Sequence, residues 1–211
     1  MVISREFKVL KIYHVPGTRS VRVIWLCEEL QVPYEVETIS FAQEFRSSPA
    51  WRKMNPVGKV PVMTDDALTM FESGAMVQYI LDRYGEGQLQ PEAGTSEHAL
   101  YLQWSWFAES TFARPLGEIV NHRRAFAELE QQPAAIEEMQ ARSLLCMKAV
   151  DEAIQGKDFI LSEFSAADMM LGYSMMLCER LAPSDEYPDA TAYWQRLQQR
   201  PGCEIAVNYG L

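Results

Sequence analysis

The sequence predicts a mixed α/β domain followed by an all-α domain. Three observations carry this: strand and helix periods alternate through residue 85, a turn-rich polar stretch follows, and only helical patterning comes after it. The 211 residues suit one large domain or two modest ones. A hydrophobic fraction of 48% and five Trp fit a packed core, not a disordered chain.

Element by element, "FKVLKIYHV" (7–15) reads as a strand. Val23, Leu26, Cys27 and Leu30 then recur at i, i+3, i+4, i+7, one face of a helix. "PYEVETI" (33–39) is a second strand, and the segment after it is polar and mixed. "KVPVMT" and "ALTMF" flank Asp65-Asp66 as two short strands around a turn. Val77, Ile80, Leu81 and Tyr84 mark a further helix face ending at Gly85. "GEGQLQPEAGTSE" (85–97) reads as a linker, and breaks within the helical part fall at Pro133, Gly156, Pro183 and Pro201. The expected domains are therefore 1–85 and 98–211, joined by 86–97.

Composition excludes several classes of function. The net charge of −10 disfavours nucleic acid and anionic membrane surfaces as partners. Cys27, Cys146, Cys178 and Cys203 form no CxxC pair and have no His at ligand spacing, so neither a disulfide framework nor a metal site is expected. "MVISREFKVLK" carries charges where a signal peptide needs an apolar core, and no stretch is long enough to span a membrane. The expected location is the cytoplasm.

Three stretches can carry chemistry. In "PGTRS" (16–20), Ser20 reads as a helix cap, whereas Thr18 sits further back in the turn. A hydroxyl there can donate to an anion near the positive helix end, including a thiolate. In "NPVGKVPVM" (55–63), Pro61 enters a strand at the cost of a ladder hydrogen bond. A cis Val60-Pro61 bond explains this, and it exposes the Val60 main chain to an extended ligand, with Lys59 placed for a carboxylate. In "FESGAM" (71–76), Ser73 and Glu72 read either as an N-cap with its acidic neighbour, or as partners for the carboxylate and ammonium of an α-amino acid. The three agree on an extended, peptide-like anion carrying a thiol.

"PGTRSVRVIWLCEELQVPYE", "NPVGKVPVM", "FESGAMVQYILDRYG" and "FILSEFSAADMML" together resemble the glutathione transferase family over nearly the whole chain. The resemblance is to members with a bacterial-type serine or threonine active site. It implies a thioredoxin-like N-terminal domain, an all-helical C-terminal domain and a homodimer. It also implies glutathione as co-substrate, no metal, and a detoxifying transferase that directs the thiolate onto an apolar electrophile or peroxide. Carried onto this chain, Val60 pairs with the cysteinyl part of glutathione, Pro61 is the cis proline, Lys59 faces the glycine carboxylate, and Glu72 and Ser73 hold the γ-glutamyl end. Thr18 lies four residues before Arg22, the offset of the family's catalytic serine. Its extra methyl restricts the hydroxyl's rotamers. Ser20 and Tyr13 are the other candidates for the thiol.

Ser165 and Asp168 have capping-box spacing and read as structural. Trp104, Phe107 and Thr111 share a helix face near which the family binds its second substrate between the domains, though core or dimer packing explains such a face as well. Methionines 169, 170, 175 and 176 read as core. Two further readings of function stay open. One is glutathione-dependent disulfide reduction, for which a nearby Asn is missing from 14–24; the other is a binding protein that kept the fold without the chemistry.

Overall fold

The computed structural model of the protein describes residues 9–210. The charged start of the chain and the first two residues of the predicted strand, Phe7 and Lys8, lie outside the described residues. The chain divides into two compact units. One comprises the residues up to Glu86 together with those from Pro201 onward, and the other is Gly87–Arg200.

The first unit is built on a four-stranded sheet with strands β1 (Leu10–His14), β2 (Tyr34–Thr38), β3 (Val62–Asp65) and β4 (Leu68–Phe71), in the order β2-β1-β3-β4. β1 runs parallel to β2 and antiparallel to β3, and β3 pairs antiparallel with β4. The hairpin turn falls one residue later than its sequence signal, since Asp65 still pairs with Leu68 and Asp66 takes the left-handed backbone at φ 52°. Strand alternation buries Leu10, Ile12 and His14 on one face of β1 and leaves Lys11 and Tyr13 half-buried on the other.

Helix α1 (Ser20–Leu30) packs against β1, and its residues Ser20 to Cys27 are all buried. That continuous burial arises because α1 is also covered by α4 (Ser73–Tyr84) and α10 (Pro201–Asn208). Gly202 lets the α10 backbone approach α1 closely, since a Cβ there would meet Glu29 Oε1 at 3.1 Å and Glu28 Cβ at 3.2 Å. The sequence grouped 201–211 with the helical domain; in the structure α10 belongs with the sheet. The mixed segment after β2 forms α2 (Gln43–Ser47) and α3 (Pro49–Met54), the latter capped by the Ser48 hydroxyl accepting the Trp51 N–H. Trp51 joins Ile39 and Val62 in a cluster that Tyr13, Val15 and Val60 also pack against. Helix α4 is tied to the hairpin by Asp65, which is buried and accepts the Tyr79 and Tyr84 hydroxyls at 2.6 Å. Burial, reinforced by that carboxylate, pushes the Tyr79 phenol up to about 12.

The second unit holds α5 (Ser96–Trp106), a π-helical segment (Phe107–Phe112), α6 (Ala113–Ala125), α7 (Pro133–Ile154), α8 (Ala166–Leu181) and α9 (Pro188–Gln198). Pro133 and Pro188 open their helices, where the missing N–H is no loss. The π turn breaks the 3.6 period assumed for Trp104, Phe107 and Thr111. Trp104 and Phe107 still meet edge-on at 5.3 Å, but Thr111 no longer follows them in ideal register. Helix α8 is almost wholly buried; Met169, Met170 and Met175 lie in the core and Met176 is half-buried. Its start bears out the capping box. Asp168 accepts the Ser165 N–H at 2.8 Å, the Ile160 N–H at 2.9 Å and the Tyr193 hydroxyl. Burial raises the Asp168 carboxyl above its usual range, and these hydrogen bonds pull against that rise.

Candidate functional site

At the start of α1, Thr18 and Ser20 are brought into one hydrogen-bonded chain, and neither caps the helix. The expectation that Ser20 is the N-cap is thereby corrected. The helix begins at Ser20 itself, Arg19 holds the cap position in αR geometry, and the leading N–H groups are met by the turn's own carbonyls. Val21 N–H donates to Thr18 O at 3.1 Å and Arg22 N–H to Arg19 O at 3.2 Å. Relieved of capping, the wholly buried Ser20 hydroxyl lies 2.7 Å from His14 Nδ1 and 2.9 Å from Thr18 Oγ1. Half-buried Thr18 donates to the Val15 carbonyl at 2.7 Å.

His14 was not singled out from the sequence, although its register with Leu10 and Ile12 is the signal that aims it at α1. Its Nε2 lies 3.0 Å from the Tyr209 carbonyl, which can only accept, so Nε2 carries a hydrogen. In the neutral ring Nδ1 is then the acceptor for Ser20. Burial lowers the His14 pKa and the Tyr209 carbonyl partly offsets that, which favours the neutral form.

The start of α4 is reached from α1 by Arg22, a buried guanidinium whose Nη1 donates to Ser73 Oγ at 3.3 Å. Accepting from Arg22 leaves the Ser73 hydroxyl hydrogen free to be given elsewhere. The structure puts Glu72, not Ser73, in the cap position, with no side-chain cap bond. Glu72 is exposed and holds φ 78°, a region that costs a non-glycine residue about 1–3 kcal/mol. Ser73 begins the helix.

In the loop before β3, Val60-Pro61 is cis, as expected. Asn55 organises the loop by donating to the Lys59 carbonyl at 2.9 Å and accepting the Val57 N–H at 3.1 Å. Gly58 is required at φ 63°, where a Cβ would lie 2.5 Å from Arg46 O. Lys59 is exposed, Val60 half-buried and Pro61 buried. Tyr13 does not join the Thr18–Ser20 chain. It faces the opposite side of β1, where its ring meets Trp51 at 5.8 Å. Cys27 is an interior thiol pushed up to about 12 by burial. Among the described residues no group of three or more His, Cys, Asp or Glu is gathered to hold a metal ion, and no helix is long and apolar enough to cross a membrane.

A thioredoxin-like unit with a cis-proline loop, followed by a helical unit, defines a class of protein, and comparison narrows it. Residues 8–82 match the profile of the glutathione S-transferase N-terminal domain. Glutathione S-transferase 3 of Schizosaccharomyces pombe is 27% identical, covering 94% of this chain and 87% of its own. The theta class glutathione S-transferase of Xanthomonas axonopodis pv. citri, solved with glutathione bound, superposes with a TM-score of 0.81 at 29% identity over 95% of this chain and 97% of its own. A glutathione transferase from Pseudomonas putida, solved with one glutathione disulfide per subunit, gives 0.86 at 22% identity over 99% and 95%, which speaks to fold alone. The first unit thus matches the N-terminal domain of glutathione S-transferases, and over nearly its whole length the chain is similar to proteins of that name.

Proposed function

We propose that the chain is a glutathione transferase in which Thr18 activates the bound thiol as thiolate for attack on an apolar electrophile or peroxide. The observation that carries this is the Arg22–Ser73 bond, which draws the starts of α1 and α4 together so that one peptide can reach both. Ser73, polarised by Arg22, donates to the γ-glutamyl carboxylate beside the uncapped first turn of α4, and exposed Glu72 pairs with its ammonium. The Val60 main chain pairs with the cysteinyl residue, Pro61 shapes that edge, and Lys59 meets the glycine carboxylate. The sulfur then lies against Thr18, whose hydroxyl donates to it and favours the charged form.

Relatives named glutathione S-transferases and neighbours solved with glutathione support this reading. Assembly as a cytoplasmic homodimer follows from the same likeness. The test is the ultraviolet absorbance of thiolate for bound glutathione, titrated against pH in wild type and Thr18→Ala. The expected result is a bound thiol that ionises well below the usual range near 8.5, with the shift lost in the variant. A shift that survives moves the role to Ser20, Tyr13 or the helix end. Saturable binding without thiolate leaves a binding protein.

A further inference from the structure

His14, Ser20 and Thr18 stand in a row between two carbonyls that can only accept. The contacts are Tyr209 O to His14 Nε2 at 3.0 Å, Nδ1 to Ser20 Oγ at 2.7 Å, Ser20 Oγ to Thr18 Oγ1 at 2.9 Å, and Thr18 Oγ1 to Val15 O at 2.7 Å. Four contacts need four hydrogens. A neutral imidazole and two hydroxyls supply three, so the row is one hydrogen short. Ser20 is committed to Nδ1, and Thr18 must choose between Val15 O and Ser20 Oγ. Val15 O loses little if Thr18 turns away, because it keeps the Thr18 N–H at 3.2 Å. A proton entering at the Thr18 end completes the row.

We propose that His14 is the internal acceptor of the thiol proton, which reaches it through Thr18 and Ser20. This rests on the placement of glutathione sulfur at Thr18 proposed above. Before transfer the order is S–H to Thr18 Oγ1, Thr18 O–H to Ser20 Oγ, and Ser20 O–H to His14 Nδ1. The S–H bond breaks and its proton binds Thr18 Oγ1. The Thr18 hydrogen passes to Ser20 Oγ, and the Ser20 hydrogen to Nδ1. Each hydroxyl ends with one hydrogen, the imidazole becomes imidazolium, and the sulfur keeps the electron pair as thiolate. Every donor is again matched: Nδ1–H to Ser20, Ser20 to Thr18, Thr18 to the thiolate, and Nε2–H still to Tyr209. Once product leaves, the proton returns by the same atoms to solvent at Thr18.

The surroundings suit a temporary store. The Tyr209 ring and carbonyl face His14 from the C-terminal segment, Ser20 from α1, and Thr38 as its partner on β2. Of these only Tyr209 carries an ionisable side chain, and burial is the first influence on the imidazole. An imidazolium there is held by its two hydrogen bonds and by the thiolate's charge, so it persists only while thiolate is present. His14 acts through other groups and is therefore a positioning and proton-holding residue, with Thr18 touching the substrate.

The experiment is nitrogen NMR on protein labelled with 15N-histidine near neutral pH, with saturating glutathione or S-methylglutathione, which has no thiol proton. Calorimetry in buffers of different ionisation enthalpy counts protons released. In the free protein His14 is neutral with hydrogen on Nε2. Glutathione raises its imidazolium fraction severalfold with little proton release, S-methylglutathione does neither, and His98 and His122 in the other unit do not respond. In Ser20→Ala, glutathione still binds, His14 stays neutral, and any thiolate formed releases its proton to the buffer. In His14→Gln, which keeps a donor for Tyr209, wild-type proton retention is lost. Thiolate formation in wild type with His14 neutral and one proton released overturns the pathway but leaves the transferase reading intact. Failure of glutathione to bind, or to ionise, overturns both.

Discussion

A serine caps α8 and another opens α1, and the two do opposite things. Ser165 is closed in on itself: its main-chain N–H and hydroxyl meet Asp168, which also takes Ile160 and Tyr193. Ser20 has no carboxylate three residues on, since Val23 stands there, and its hydroxyl points away from the helix to His14 and Thr18. A carboxylate at N3 absorbs a hydroxyl into structure, and its absence leaves the hydroxyl for other partners. Within the first unit the start of α4 also lacks a side-chain cap, whereas α3 has one. Arg22 joins the uncapped starts of α1 and α4.

Removing the closure should be the most damaging change. Asp168→Ala strands the Ile160 and Ser165 N–H groups and the Tyr193 hydroxyl in the core, and we expect a loss of about 3–5 kcal/mol in urea unfolding of the second unit. At the open ends the effect should move from stability to binding. Ser73→Ala should weaken glutathione about tenfold by calorimetry, roughly 1.4 kcal/mol, with a smaller drop in the unfolding midpoint than Asp168→Ala, from the one hydrogen bond lost to Arg22. A midpoint drop as large as that of Asp168→Ala would erase the distinction between the two kinds of helix start.

The pH dependence sharpens it further. Burial holds the His14 pKa in the folded state below its ordinary value, so the unfolded chain takes up its proton first. Stability from this group is complete above about pH 6.5, falls as pH drops below that, and levels off once the lower folded-state pKa is passed. One proton limits the slope to about 1.4 kcal/mol per pH unit, and urea midpoints across that range should lose this component in His14→Gln. The smallest effect belongs to an ordinary exposed cap. Thr95 accepts the His98 N–H at 3.1 Å to start α5, and Thr95→Ala should cost about 0.5–1 kcal/mol in the same assay.

The sheet, the hairpin and the helix after it were legible because period-2 and period-3.6 runs there are short and bounded by turn residues. The box at Ser165 was legible because both partners lie within four residues. The α1 start was only half so. The Pro-Gly-Thr cluster marked the place, but Ser20 looked like a cap because its true partner, His14, lies across a turn and is fixed by strand register. The destination of α10 was not legible: an amphipathic segment does not say which apolar face it covers, and its contacts with α1 are far away in sequence. The π turn left no local mark, and it displaced the aromatic face read at Trp104, Phe107 and Thr111.

The seal that Tyr209 places over His14 spans 195 residues of sequence. On a ribosome moving at 5–20 residues per second, the strand carrying His14 emerges roughly 10–40 s before the segment that closes over it. Through that interval the face of α1 destined for α10 is bare, and the nascent first unit is a substrate for any chaperone that holds apolar helices. Its maturation waits on the segment from Pro201 onward, not on the strand that emerges first.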